Sequence, residues 1–452
     1  MAKRHSNPPH DTTAAPLAFR YVTYHSNSHR VEEFSRDRDP CSVSRFRRFL
    51  GPLGVVRFRL PQLSLKRRRL ARSATIQDLR RVARRRLPRG VFDYIDGGAE
   101  DEVTLADNVA AYRGITFSPR VLRDVSDVDI SSALLGRPLS YPLVLAPTGF
   151  TRIAHPEGEL AVARSARRAG LPYALSTLGT RSIEEVAAVG SDRLWFQVYT
   201  WRDRDLVSDL IRRAAEAGYE ALCLTVDTAV LGRRERDVRR GFTLPPKVGL
   251  STVLDGVIHP GWSFGFLTSP PIVFANVAGE SVGDGRDAIS LAEYVGAQFD
   301  PGLSWGDIGW LRERWAGPIV VKGIQSVADA RLAVDHGVEA IAISNHGGRQ
   351  LDSAPATLDL LPGIVDAVGG RLEVICDGGV RRGGDIVKAV ALGANAVMAG
   401  RPYLYGLAAA GESGVDHVLD GFASEMRRTM ALIGCASVAE LGPEYVSESR
   451  RS

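Results

Sequence analysis

Ile319-Val-Val-Lys322 and Ala340-Ile-Ala-Ile-Ser-Asn345 are short apolar runs joined by Val327–Asp335, a stretch with helical spacing. A run this short and continuously apolar is a strand buried on both faces, and a helical crossover to a second such run makes the two parallel. Working outward, the unit recurs. Eight runs are found: Leu143–Pro147, Tyr173–Thr177, Leu194–Tyr199, Ala221–Asp227, Ile319–Lys322, Ala340–Asn345, Glu373–Asp377 and Ala396–Arg401. Between them lie amphipathic stretches such as Glu157–Ala169, Asp205–Ala217 and Gly384–Leu392. Eight alternating units fit an α/β protein of the (β/α)8 TIM-barrel type. An open doubly wound sheet is the other architecture compatible with the pattern.

A barrel keeps its chemistry at the carboxyl ends of its strands. The runs end in Pro147-Thr148-Gly149, Ser176-Thr177, Gln197-Val198-Tyr199, Thr225-Val226-Asp227, Lys322, Ser344-Asn345-His346, Asp377-Gly378-Gly379 and Gly400-Arg401. Stacking a core needs none of these polar groups.

The barrel is assigned to residues 73–445, with a C-terminal tail at 446–452. It opens with a helix capped by Thr75, followed by a second, Val91–Ile95, which Gly97-Gly98 stops. Between the fourth and fifth runs, residues 228–318 hold a long insertion, centred on about 240–302 and rich in Pro, Gly, Trp and Phe. Connections of this length are lids, interaction surfaces or extra packing.

Residues 1–72 form a basic extension, expected to be largely disordered, with short structured pieces around Phe46–Val56. Residues 1–90 carry 22 Lys and Arg against 6 Asp and Glu, and the rest of the chain 35 against 46. A basic end can bind nucleic acid, attach to an anionic membrane or simply be solvated. Base-stacking aromatics and a nucleic-acid-binding motif are missing, so no nucleic-acid partner is expected. There is no signal-peptide pattern and no apolar run near eighteen residues. The four cysteines (Cys41, Cys223, Cys376 and Cys435) lack metal-ligand spacing, and two sit in strand runs. Reduced thiols, no metal and a cytoplasmic location are expected.

Asp377-Gly-Gly-Val-Arg-Arg-Gly383 and Ala399-Gly-Arg-Pro402 follow the last two strands, where backbone N–H groups and helix N-termini of barrels hold phosphate. Arg381 and Arg401 would add charge-assisted contacts. His346 leaves the sixth strand into a glycine turn with Arg349 three residues on. Histidine suits a general base at neutral pH, and the arginine fork suits a carboxylate. Asp227 could fix the histidine tautomer or cap a helix. Lys322 ends an apolar strand, where an unpaired ammonium is costly; it reads as a Schiff-base lysine or as an electrostatic stabiliser. Arg234 lies in the charge run Arg233-Arg-Glu-Arg236, a pattern typical of solvated faces.

Several motifs together resemble one family. Phe-Asp-Tyr94-Ile-Asp-Gly-Gly-Ala-Glu-Asp, Ala-Pro147-Thr-Gly149, His155-Pro-Glu-Gly-Glu, Thr225-Val-Asp227-Thr, Ser344-Asn-His346-Gly-Gly-Arg349-Gln-Leu-Asp and Asp377-Gly-Gly-Val-Arg381 stand in its order. The chain is similar, over roughly 73–445, to the FMN-dependent 2-hydroxy acid oxidising enzymes. These include glycolate oxidase and the flavin-linked lactate and mandelate dehydrogenases, and the bacterial L-lactate dehydrogenases are the nearest type.

The resemblance implies FMN held by Pro147, Thr148, Gly149, Ser176, Gln197, Thr225, Lys322 and Ser344. It places the phosphate at Asp377, Gly378, Gly379, Val380 and Arg381 and at Gly400 and Arg401. It implies substrate contacts from Tyr94, Tyr199, Arg234, His346 and Arg349, with His346, Asp227, Tyr199 and Lys322 catalytic. His346 would be the base while two electrons pass to the flavin, and quinone or oxygen would be the acceptor. A homo-oligomer, by resemblance a tetramer, is implied as well.

Leu178 stands where glycolate oxidase-like members have tryptophan, and the smaller side chain leaves room for a methyl or larger group; L-lactate is the expected substrate. Ala229-Val230 also depart from that pattern, while Gly232-Arg-Arg234-Glu is retained. The insertion resembles a lid or membrane-associating segment, which with the basic extension suggests peripheral attachment at the inner membrane face.

Overall fold

Eight parallel strands close on themselves: each strand hydrogen-bonds its sequence neighbours, and the last returns to the first. They are β1 (Leu143–Leu145), β2 (Tyr173–Ser176), β3 (Leu194–Val198), β4 (Ala221–Thr225), β5 (Ile319–Ile324), β6 (Ala340–Ile343), β7 (Glu373–Asp377) and β8 (Ala396–Ala399). In this computed structural model the described residues are 64–240, 250–277 and 296–448. Cys41 and the expected pieces around Phe46–Val56 lie outside them.

Closure is what separates the barrel from the open-sheet alternative: Val397 of β8 pairs with Leu143 of β1. The strands alternate inward and outward, so two cores form. Val144, Ala174, Trp195, Cys223, Val320, Ala342, Ile375 and Met398 fill the lumen. The outward side chains, among them Phe196, Leu222, Leu224, Val321 and Ile341, pack under the helices. Small lumen residues balance the one large ring, Trp195. Cys223, Cys376 and Cys435 are buried free thiols.

The helices start where the sequence allows them to. Thr75 accepts from the Asp78 N–H at 3.0 Å, a cap of a kind worth about 1 kcal/mol. The helix Ile76–Arg86 then turns Ile76, Leu79 and Ala83 into the core. Asp203 and Ser326 cap Arg204–Glu216 and Val327–Asp335 in the same way.

Two elements fall where the sequence showed no periodic signal. A helix, Leu65–Ala71, lies within the stretch read as extension. Val446–Glu448, read as tail, pairs antiparallel with Ile115–Phe117.

In the insertion, helices Leu250–Ile258 and Pro260–Leu267 precede a return leg. The insertion is tied to the barrel rim: Trp262 Nε1, on the second helix, donates to the Ile153 carbonyl at 2.8 Å, and the Ala275 N–H, on the return leg, donates to the Gly179 carbonyl at 3.1 Å. No helix among the described residues is long and apolar enough to cross a membrane.

Candidate active site

The carboxyl ends of the strands surround one cleft of about 1120 Å3, part of it open to solvent. Tyr94, Pro147, Thr148, Gly149, Ser176, Gln197, Tyr199, Thr225, Arg234, Lys322, His346, Arg349, the Asp377–Arg381 segment, Gly400 and Arg401 all line it. Asp227 and Ser344 do not; they stand one layer behind.

Asp227 Oδ1 lies 3.0 Å from His346 Nδ1. Burial opposes the Asp227 charge, but His346 and Lys322 outweigh it and hold the carboxyl below its ordinary range. An ionised carboxylate can only accept, so Nδ1 carries the proton and Nε2 keeps a lone pair. Burial also lowers the His346 pKa, with Asp227 acting against the shift, so the ring is neutral at pH 7.

The backbone is shaped to bring the pair together. His346 has φ 58°, a left-handed conformation that non-glycine residues adopt at some cost. The register of β5 slips between Lys322 and Ile324, at Gly323 with φ 116°. A Cβ at Gly323 would lie 2.9 Å from Asp227 Cβ, so only glycine admits the carboxylate here.

Ser344 organises the layer below. Its hydroxyl accepts from Lys322 Nζ at 2.9 Å and from the His346 N–H at 3.1 Å, and donates to Asp377 Oδ2 at 2.7 Å. Lys322 Nζ is 3.2 Å from the same carboxylate. Burial works against the ammonium, but Asp377 and Asp227 prevail and raise its pKa above the ordinary lysine value. A permanently protonated amine is no nucleophile, so the Schiff-base reading of Lys322 gives way to the electrostatic one.

Two guanidinium groups face the cleft around Tyr94. Arg349 lies over its ring at 5.1 Å and Arg234 at 5.8 Å. Arg349 donates to the carbonyls of Tyr94 and Gly97. Burial, with Arg234 adding repulsion, pulls its pKa down to about 9. Arg234 Nε is buried without a hydrogen-bond partner. Two cations crowded in a cleft make a receptor for a carboxylate. The solvated-face pattern around Arg234 is thus corrected: Arg234 points inward, while Arg236 binds Asp96 and Glu102. Tyr199 is buried, stacked on Trp201 and edge-on to Phe299. Burial raises its pKa, so it remains a phenol.

Several buried polar atoms in the cleft wall have no partner, notably Gln197 Nε2 and Thr225 Oγ1. Orphaned donors are expensive unless a ligand satisfies them, and a flavin ring edge carries matching acceptors and donors. The opposite end suits a phosphate. Gly378 and Gly379 take positive φ, and Gly400 caps the ten-residue helix Arg401–Ala410, whose N-terminal residues Gly400, Arg401 and Pro402 line the cleft. Arg401 is less free than its position suggested. Its guanidinium already donates to the carbonyls of Ile95, Gly347 and Gly97, so it pins the glycine turn of His346 to the Tyr94 helix.

Phe150 is a lining residue that sequence reasoning passed over. It has φ 61° and packs edge-on to Tyr94, with ring centroids 6.2 Å apart. Its only signal was its place directly after the Pro147-Thr-Gly149 strand end.

The family model for FMN-dependent dehydrogenases matches residues 83–448. The chain belongs to the FMN-dependent dehydrogenase family. FMN is its cofactor, and oxidation of 2-hydroxy acids is its reaction class. It is 47% identical over 405 residues to a putative L-lactate dehydrogenase of Mycobacterium tuberculosis, covering 89% of this chain and 96% of that one. Glycolate oxidase of Spinacia oleracea is 44% identical over 374 residues, 82% and 95% of the two chains. Among solved structures, the monotopic membrane protein (S)-mandelate dehydrogenase superposes with a TM-score of 0.80 at 39% identity. That match covers 84% of this chain and all of the other.

Proposed function

We propose that the protein oxidises L-lactate to the 2-oxo acid, with His346 as the general base. The observation that carries the mechanism is the 3.0 Å contact of His346 Nδ1 with Asp227, which leaves Nε2 as a basic site beside two arginines. Arg349 and Arg234 bind the substrate carboxylate, and the Tyr199 phenol and Tyr94 orient the hydroxyl-bearing carbon. Nε2 accepts the substrate proton, and Asp227 offsets the charge that the imidazolium then carries. FMN, held along Gln197, Thr225, Lys322 and the Gly378–Arg381 and Gly400 turns, supplies the two-electron acceptor. Lys322 presents a fixed positive charge to the group bound there.

The choice of lactate rests on Leu178, which lines the cleft with Phe150 and, being smaller than tryptophan, would leave room for a methyl substituent. Under nitrogen, L-lactate should bleach the yellow protein with higher catalytic efficiency than glycolate or mandelate. A clear preference for glycolate or mandelate ends the lactate assignment and leaves the reaction class standing.

A second reading concerns location. The insertion helices expose Leu254, Val257, Ile258, Phe264, Phe266 and Leu267. Apolar side chains grouped this way suit shallow insertion into a lipid interface. We infer peripheral membrane attachment through these helices, which would bring the flavin close to a lipid-soluble quinone acceptor.

A further inference from the structure

The motif His155-Pro-Glu-Gly-Glu159 has no part in the chemistry above, yet it ends in a fully buried carboxylate. Glu159 is 0% exposed, in the first turn of the helix Gly158–Ala169. Thr180 is its principal partner, and backbone N–H groups of Thr151 and of Glu159 itself add to it. Thr180 donates its backbone N–H to Oε1 at 2.7 Å and brings its hydroxyl within 2.8 Å of Oε1 and 2.7 Å of Oε2. The Thr180 hydroxyl accepts in turn from the Arg152 N–H at 3.2 Å. A chain of bonds thus runs from Arg152 through Thr180 to Glu159.

Its placement is what matters. Arg152 comes two residues after Phe150, on the β1 loop; Thr180 comes two residues after Leu178, on the β2 loop. These are the side chains that shape the substrate end of the cleft. The loops also meet directly, since the Phe150 N–H donates to the Leu178 carbonyl at 2.9 Å. Gly158 belongs to the same device: a Cβ there would run into Arg152 Cγ, so glycine lets the helix carrying Glu159 close on the β1 loop. A buried carboxylate is a costly way to tie two loops, and it fits a place where their spacing must be held tightly.

We propose that Glu159 and Thr180 are positioning residues that set the separation of Phe150 from Leu178 and thereby the selectivity of the cleft for the substrate side chain. They touch neither substrate nor flavin and act through the two loops. The inference rests on the hydroxy acid reading of the site but not on lactate in particular.

The test uses the FMN-loaded full chain. Thr180→Val keeps the shape and removes the hydroxyl. It should raise KM for 2-hydroxy acids at least tenfold and change the ratio of kcat/KM for L-lactate and mandelate at least fivefold. The deuterium isotope effect on flavin reduction at saturating substrate should stay as in the wild type. Thr180→Ser and Glu159→Gln, which can still bridge the loops, should remain within about threefold of wild type. Thr180→Val with KM and selectivity unchanged overturns the proposal, and so does Thr180→Ser as defective as Thr180→Val. Wild-type protein that no hydroxy acid reduces would instead defeat the functional reading itself.

Discussion

The rim of the barrel and the insertion helices are opposites. At the rim, charged groups are buried: Asp227 is held by His346, Lys322 by Ser344 and Asp377, and Glu159 by Thr180. In the insertion, Phe264 and Leu267 are apolar groups left 70% and 80% exposed. Both depart from the general rule that apolar groups go inside and charges outside, and in the proposed reading each departure serves function. The first costs folding free energy and would prepare a reaction; the second costs solubility and would prepare a surface for contact. The two regions meet at the rim, where Trp262 and Ala275 hold the insertion to the β1 and β2 loops.

Removing charge from the rim should have the largest effect. Asp227→Asn deprives the imidazolium of its counter-charge and disturbs the tautomer, and the rate of flavin reduction should fall by about 10²–10⁴. The pH profile gives the sign. His346 must be neutral to accept a proton, so activity falls as pH drops through its lowered pKa, and the acid limb lies below the ordinary histidine value of about 6.5. Asp227 is the partner that raises that pKa, so Asp227→Asn should move the limb to still lower pH. A limb moving upward would break the assignment of the pair.

Next in size is Arg349→Lys. It keeps a cation but loses the planar fork, and KM for the hydroxy acid should rise by about tenfold or more, with FMN content unchanged. Steady-state kinetics on the loaded enzyme measures this.

The contrast is sharpest where nothing should change in chemistry. Phe264→Ser combined with Leu267→Ser should abolish flotation with vesicles of anionic phospholipid and leave the rate of flavin reduction by L-lactate within about twofold of wild type. If the double variant still floats with the vesicles, the insertion is not the attachment surface.

The fold was legible because strands buried on both faces are written as uninterrupted apolar runs. All eight runs correspond to barrel strands, and the polar residue after each faces or supports the cleft. Local patterns also sufficed for Val327–Asp335, whose capping serine and helical spacing agree. What escaped reading depends on partners distant in sequence. Nothing in Val446–Glu448 signals pairing with Ile115–Phe117. Arg401 read as a phosphate ligand, but its three carbonyl partners, supplied by residues some 50 to 300 positions away, carry no local signal. The charge run around Arg234 does not itself state which of its three arginines turns inward; only the family resemblance pointed to Arg234. Phe150 and Glu159 were hidden for the same reason, since their roles arise from loops brought together by closure of the barrel.

The central claim is that His346 is the base, and rapid mixing of the FMN-loaded His346→Asn variant with L-lactate under nitrogen tests it most directly. The account predicts intact flavin absorbance and a rate of bleaching lower than wild type by about 10² or more. Bleaching at the wild-type rate would contradict it.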